Sequence, residues 1–260
     1  YQFYKRVGAY HKVFGRSGYS QAQSVTSCLK KYHQHSGIDT VDQANFDNLS
    51  GFMAYRQETM NNNTMGKQRS FINKFFDYAE NKEWINKSPA RALPKYKHIK
   101  QEPYHFTDTE LDRIMSNATD EFRPFYQFML YTGIRCTDLW DMGRDVFYEE
   151  QGQLFIKFKM NKTGLLLNVP VCDKARELVE SIQSPHYLFP NAMNRGWRES
   201  QIWNLKSNFD AKHYQANHIK NHTFRHTFAM HQLYKNTPIK VIQQLLGHTS
   251  VTQTEVYANK

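Results

Sequence analysis

At 260 residues, 40% hydrophobic and 22% charged, the chain can bury one large core or two modest ones, and its composition excludes a disordered or fibrous protein. No run approaches the ~20 apolar residues of a membrane span, the opening YQFYKRVGAY has no signal-peptide core, and Cys28, Cys136 and Cys172 are odd in number and form no CxxC pair, so neither a disulfide framework nor a cysteine zinc site is indicated. The net charge of +10 is uneven, with 16 Lys and Arg against 7 Asp and Glu in residues 1–100 and 18 against 17 beyond them, so the front of the chain carries a field suited to a polyanion, most often nucleic acid. Three reduced thiols, a cytoplasmic setting and no membrane partner are the expectation. A chain opening on Tyr1 rather than Met leaves room for a segment ahead of it.

In chain order the first third reads as helices. YSQAQSVTSCLKKYHQHSG places Val25, Cys28, Leu29 and Tyr32 at helical spacing, with Gly37 as a stop. FDNLSGFMAYRQETM and TMGKQRSFINKFFDYAENKEWI repeat the pattern, the latter with a broad apolar face of Phe71, Ile72, Phe75, Phe76 and Tyr78, so three or four packed helices are predicted over residues 1–90. Three prolines and a basic run then interrupt the period, and residues 91–104 read as a linker in which Lys95, Lys97 and Lys100 are candidate DNA contacts. A second domain is predicted over 105–260. It opens on Thr107 and Glu110, spaced as a capping box.

After two helical stretches the period changes to two. Leu154, Ile156, Phe158 and Met160 alternate with Lys157 and Lys159, and a second strand follows NKTG, which predicts a β-hairpin with Lys162 at its tip. Helical patterns return in KARELVESI, ESQIWNLKSNF, FRHTFAMHQLY, IKVIQQLLG and VTQTEVYA. The fold class is therefore mainly α with a small antiparallel β-sheet in the second domain.

Several polar residues stand out from this scaffold. In LYTGIRCTDL, Thr132 and Gly133 break a helix and leave Arg135 in a turn, where its planar fork can face an anion; a pair with Asp138, three residues on, explains the same residue structurally. His222 and Arg225 share a helix face, with Phe224 and Phe228 on a buried side. His226 follows His222 at HxxxH spacing, which zinc sites also use, but Thr223 stands where HExxH has its glutamate, a third ligand is wanting, and a core or surface role suits His226 better. His248 follows Gly247 at a helix exit, and Tyr257 lies on the next short amphipathic element. Two guanidiniums and an imidazole can hold a phosphodiester and its transition-state charge, and a phenol can attack phosphorus.

TGIRCTDL, KTG after a strand, HTFRHTFA, LLGH and TEVYA, in this order and spacing, resemble the tyrosine recombinases, or phage integrase family, by motif from about residue 105 to 260 and by organisation alone before it. The resemblance implies a site-specific DNA recombinase of integrase, excisionase or invertase type, encoded by a prokaryote or mobile element and acting in the nucleoid. It implies a helical SAM-like core-binding domain and a catalytic domain that close around DNA as a clamp. Arg135 and Arg225 would clamp the scissile phosphate, His248 would bond the same oxygens, and Tyr257 would be the nucleophile. His222 would assist its proton transfer, Lys162 would protonate the leaving 5′ oxygen, and Asp138 would brace Arg135. No metal, ATP or other cofactor would be needed. The partners implied are double-stranded DNA at specific sites, a homotetramer on two such sites passing through a Holliday junction, and accessory DNA-bending proteins. Family members commonly carry a tail beyond the nucleophile, whereas only Ala258, Asn259 and Lys260 follow Tyr257 here. A type IB topoisomerase, an idle DNA-binding protein of the same fold and a metal-dependent nuclease are the rival readings; for the last, no carboxylate cluster can be assembled.

Overall fold

The apolar period of the front segment continues much further than its strongest stretch. In the computed structural model, which describes residues 2–99, 102–209 and 219–258 and only the backbone of 14–20, α1 runs unbroken from Gln2 to Ser36 and stops at Gly37, φ +67°. Helices α2 (Phe46–Gln57) and α3 (Asn62–Asn81) start where Asn45 and Asn61 accept backbone N–H bonds from Asn48 and Thr64. The three helices bury Phe3, Leu29, Tyr32, Phe52, Ile72, Phe75 and Phe76, while Phe71 and Tyr78 lie at the margin of that core. Fully burying each such side chain contributes about 1.5–3 kcal/mol, which holds together helices whose polar faces are unremarkable. A short 3-10 turn, Pro89–Ala92, follows. Beyond it the backbone is held at both ends, by Arg69 Nε donating to Leu93 O (2.9 Å) and by Asn63, whose side chain exchanges two hydrogen bonds with the Ile99 backbone. Lys95 and Lys97 are exposed between these anchors, and Lys100 lies outside the described residues.

The chain divides into two compact units, 1–101 and 102–260. In the second, Thr107 and Glu110 form the expected capping box at the start of α4 (Asp108–Asn117). Helix α5 (Arg123–Thr132) is followed by the short α6 (Cys136–Leu139). The sheet has three antiparallel strands in order β1 (Phe147–Glu150), β2 (Gln153–Lys159) and β3 (Leu166–Pro170), with Ile156 opposite Val169 and Lys159 opposite Leu166. The predicted hairpin is β2–β3. The extra edge strand, FYEE, is too short and too charged at its end to show a period of two, a composition common at sheet edges. Helices α7 (Asp173–Ser181), α8 (Arg195–Ser207), α9 (Asn221–Tyr234), α10 (Ile239–Leu246) and α11 (Thr252–Glu255) complete the unit.

Helix α9 is the spine of this unit. It packs on α5 and α10, with Phe224 stacked on Tyr126 (centroids 5.1 Å apart) and edge-on to Phe106. Thr227 Oγ1 accepts the Phe106 N–H at 2.9 Å, which ties the segment before α4 to the middle of α9. Both flanks of α9 are therefore covered, and Asn221, Thr223, Arg225 and Thr227 are carried into the protein interior, while His222 stays exposed.

Candidate active site

Two glycines set the turns on which the site is built. Gly133 ends α5 in the left-handed region (φ +66°), where any side chain but hydrogen is strained, and a Cβ there would meet the Phe228 ring at 2.4 Å. Gly247 ends α10 in the same way (φ +60°), with Met160 Sδ 2.7 Å and Leu167 Cδ1 3.1 Å from a Cβ position. Close approach at the first sets Arg135 beside α9, and at the second sets His248 beside the β2–β3 hairpin.

Arg225 joins these two turns. It is 2% exposed; Nη1 donates to Gly133 O (2.8 Å) and Nη2 to Leu246 O, while its buried Nε has no partner among the described residues. Burial, and then the charge of Arg135, hold its pKa down to about 9, so the guanidinium remains cationic at neutral pH. Arg135 is also largely enclosed, with Nη1 against Met160 Sδ (3.2 Å) and 3.9 Å from the Asp138 carboxylate. Asp138 does more than pair. Its Oδ1 accepts the Asn161 backbone N–H (2.8 Å), and Asn161 Nδ2 donates to Thr137 O, so α6 grips the turn that follows β2. Burial raises the Asp138 pKa, against the lowering effects of the Asn161 bond, Arg135 and Arg225.

Lys162 is the next residue in that turn and is exposed. Its charge bears on His222 and His248, both of which it renders harder to protonate. His248 is half-buried, bonded through Nδ1 to Thr254 Oγ1 (2.7 Å), and its backbone carbonyl accepts from Gln243 Nε2 (3.0 Å). Tyr257 follows α11 and is 2% exposed in a small core with Phe228, Met230, Ile242 and Leu246. Burial, opposed by the charges of Arg225 and Arg135, raises its phenol pKa to about 12.

Tyr257 Oη lies 2.6 Å from Nδ1 of His226. The motifs leave His226 without a task, and the family resemblance implies the proton-transfer role for His222. His222 is exposed at the rim, edge-on to His226 with centroids 4.5 Å apart. The HxxxH spacing put both rings on one side of the helix; which of them reached the phenol depended on the path of the chain from Gly247 to Tyr257, which no spacing on α9 encodes. Desolvation, followed by the surrounding cations, lowers the pKa of His226 to about 3 and of His248 to about 4, and lowers to about 4 that of His222, whose ring packs against His226 although the residue as a whole is exposed. All three imidazoles are neutral at pH 7. Among the described residues no group of three His, Cys, Asp or Glu side chains is gathered as a metal would require. Lys95 and Lys97 belong to the other unit.

Residues 105–260 match the phage integrase family, and residues 2–100 match the phage integrase SAM-like domain. The chain belongs to the phage integrase family of tyrosine recombinases. Tyrosine recombinase XerD of Lacticaseibacillus casei is 23% identical over 239 residues, 85% of this chain and 80% of that protein. Among solved structures, a lambda integrase dimer bound to a COC' core site superimposes with a TM-score of 0.77 at 17% identity, covering 99% of this chain and 95% of that one. A lambda integrase tetramer bound to a Holliday junction gives 0.75 at 16% identity, covering 98% and 77%. This recombinase is accordingly an enzyme of site-specific DNA recombination, and the topoisomerase and idle-protein readings are not favoured. Among the described residues no helix is long and apolar enough to cross a membrane.

Proposed function

We propose that this recombinase cleaves and rejoins duplex DNA through Tyr257, whose phenol oxygen attacks a backbone phosphorus, displaces the 5′ oxygen and forms a 3′-phosphotyrosyl bond. The observation that carries the reading is the buried guanidinium of Arg225, with its two Nη groups tied to backbone carbonyls, its Nε without an acceptor among the described residues, and its charge felt by the Tyr257 phenol. A buried unsatisfied donor costs about 1–3 kcal/mol, a cost that a phosphate oxygen would remove. Arg135, Arg225 and His248 would hold the phosphate as charge develops on it, and Asp138 would keep Arg135 and the 161–163 turn in place. Lys162 would give the departing 5′ oxygen its proton, and His222 would line the rim. Because the phosphate stays bonded to the protein, the bond energy is retained for rejoining. Neither ATP nor a metal is then required.

The basic front unit would hold the duplex largely through phosphates, with Lys95, Lys97 and Lys100 adding contacts from the linker, so that the two units together clamp the DNA. Four copies on two sites, passing through a Holliday junction and aided by accessory DNA-bending proteins, would complete strand exchange in the nucleoid of a bacterial cytoplasm. The structural resemblance to a lambda integrase tetramer on such a junction supports that assembly. The test is to sequence covalent protein–DNA junctions recovered from cells, which reports both the site and the cleaved bond. A nicked duplex built on that site should trap a 3′-phosphotyrosyl adduct at Tyr257, unaffected by EDTA. Tyr257→Phe should bind the duplex and form none; an adduct persisting in that variant, or cleavage lost on chelation and restored by a divalent ion, would refute the scheme.

A further inference from the structure

The phenol must lose its proton as it attacks, and the group within reach of that proton is His226. We infer that His226 is the catalytic base of this enzyme, taking the Tyr257 proton on Nδ1 across the 2.6 Å hydrogen bond as the phenol oxygen attacks phosphorus. The inference rests on Tyr257 being the nucleophile. Four observations favour His226 over the exposed His222. The distance is that of a made hydrogen bond. The phenol is 2% exposed and His226 is half-buried, so bulk water has little access to the bond. The bond is the polar tether of a phenol otherwise held by apolar contacts with Phe228, Ile242 and Leu246. Among the described residues His222 makes no hydrogen bond to the phenol and instead packs edge-on against the His226 ring.

The step balances without a further reactant. The phenol O–H bond breaks, its proton moves to Nδ1, the O–P bond forms, and the P–O5′ bond breaks as the 5′ oxygen takes a proton from Lys162. Rejoining runs in reverse, with His226 returning the proton to the phenol. The surroundings also explain why the free enzyme keeps its nucleophile protonated. After burial, the charges of His222, Lys220, Arg225 and His105 all make the His226 ring harder to protonate, and that of Arg135 acts in the same way on Arg225. An imidazole near 3 cannot hold the proton of a phenol near 12. A phosphodiester seated on the two arginines brings negative charge into this field, which lowers the cost of an imidazolium beside it. Proton transfer is therefore coupled to the arrival of DNA.

The test compares His226→Asn, whose Oδ1 can accept the phenol hydrogen bond but cannot act as a base, with His226→Ala, on the nicked duplex defined above. Cleavage should slow by about 10²-fold in both, with DNA affinity and melting temperature retained at least in His226→Asn. Replacing Tyr257 by a fluorinated tyrosine that ionises below neutrality removes the need for a base. Each variant carrying that residue should then cleave as fast as the fluorinated enzyme with His226 intact. Cleavage by His226→Asn near the parent rate would overturn the inference, as would a defect that persists with the ionised phenol, since His226 would then be architectural. An adduct mapped away from residue 257 in the unaltered protein is a different failure, removing the nucleophile reading and the inference with it.

Discussion

Lys162 stands at the tip of a turn with its ammonium in solvent, and the acid role proposed for it turns on what leaves phosphorus. A 5′ alkoxide is a poor leaving group that needs a proton, whereas a thiolate, with a thiol pKa near ~8.5, departs without one. Lys162→Ala should therefore be severely slow on ordinary DNA and close to the parent on DNA whose bridging 5′ oxygen is sulfur. Arg225→Ala should be slow on both, because it removes charge from the phosphate and not a proton from the leaving group. Single-turnover cleavage of the two substrates measures this, and a Lys162→Ala enzyme that sulfur fails to rescue would pass the acid role to Lys157, Lys159 or His248. At this scale the sequence was informative about identity and silent about reach. Residue type and order single out Arg135, Arg225, His248 and Tyr257 as candidates, while His226, one residue past Arg225, reads as core or surface because its partner lies 31 positions away.

Helix ends position the site more than helix interiors do. Helix α10 finishes at Gly247 in a conformation that L side chains rarely adopt, pressed on Met160 and Leu167 of the hairpin, and the next residue is His248. Gly247→Ala should cost about 1–2 kcal/mol from the left-handed backbone, with a further penalty from the Met160 contact. Combining it with Met160→Ala should recover the steric part but not the backbone part, which melting temperatures of the two single variants and the double variant will separate. Cleavage should fall in Gly247→Ala by more than its stability loss explains, since His248 is displaced from Thr254. An unchanged melting temperature would show that the turn tolerates a Cβ. The helix exits at Gly37, Gly133 and Gly247 and the capping box at Thr107 were legible because each depends on one or two residues and local backbone geometry. The edge strand Phe147–Glu150 was not, because its pairing with β2 is a tertiary choice.

At the scale of the whole molecule, charge sets two further expectations. Changing Lys95, Lys97 and Lys100 to Gln should weaken binding to all duplexes alike and reduce the slope of log affinity against log salt by about 1 per lysine. Affinity measured over a salt series on two unrelated duplexes checks this, and a changed sequence preference at constant slope would make them base readers. Acid should also destabilise the fold. His222, His226 and His248 have pKa values lowered from 6.5 to about 4, 3 and 4, so between pH 6.5 and about 4 the unfolded chain binds protons that the folded one refuses. Stability is then fully present above 6.5 and falls as pH drops through this window, offset in part by Asp138, whose raised pKa acts with the opposite sign. Melting temperatures taken from pH 7 to pH 4 should decline, and a flat series would mean that the imidazoles are not held neutral. The sequence by itself determined the basic front, the mainly helical class, the hairpin and the ordered set from Arg135 to Tyr257, because composition, periodicity and spacing are properties of neighbouring residues. Only the tertiary structure decided that Arg225 ties the turns after Gly133 and before Gly247, that Asp138 holds the backbone beside Lys162, and that His226 rather than His222 meets the phenol, because these are contacts between elements brought together by burial of a shared core.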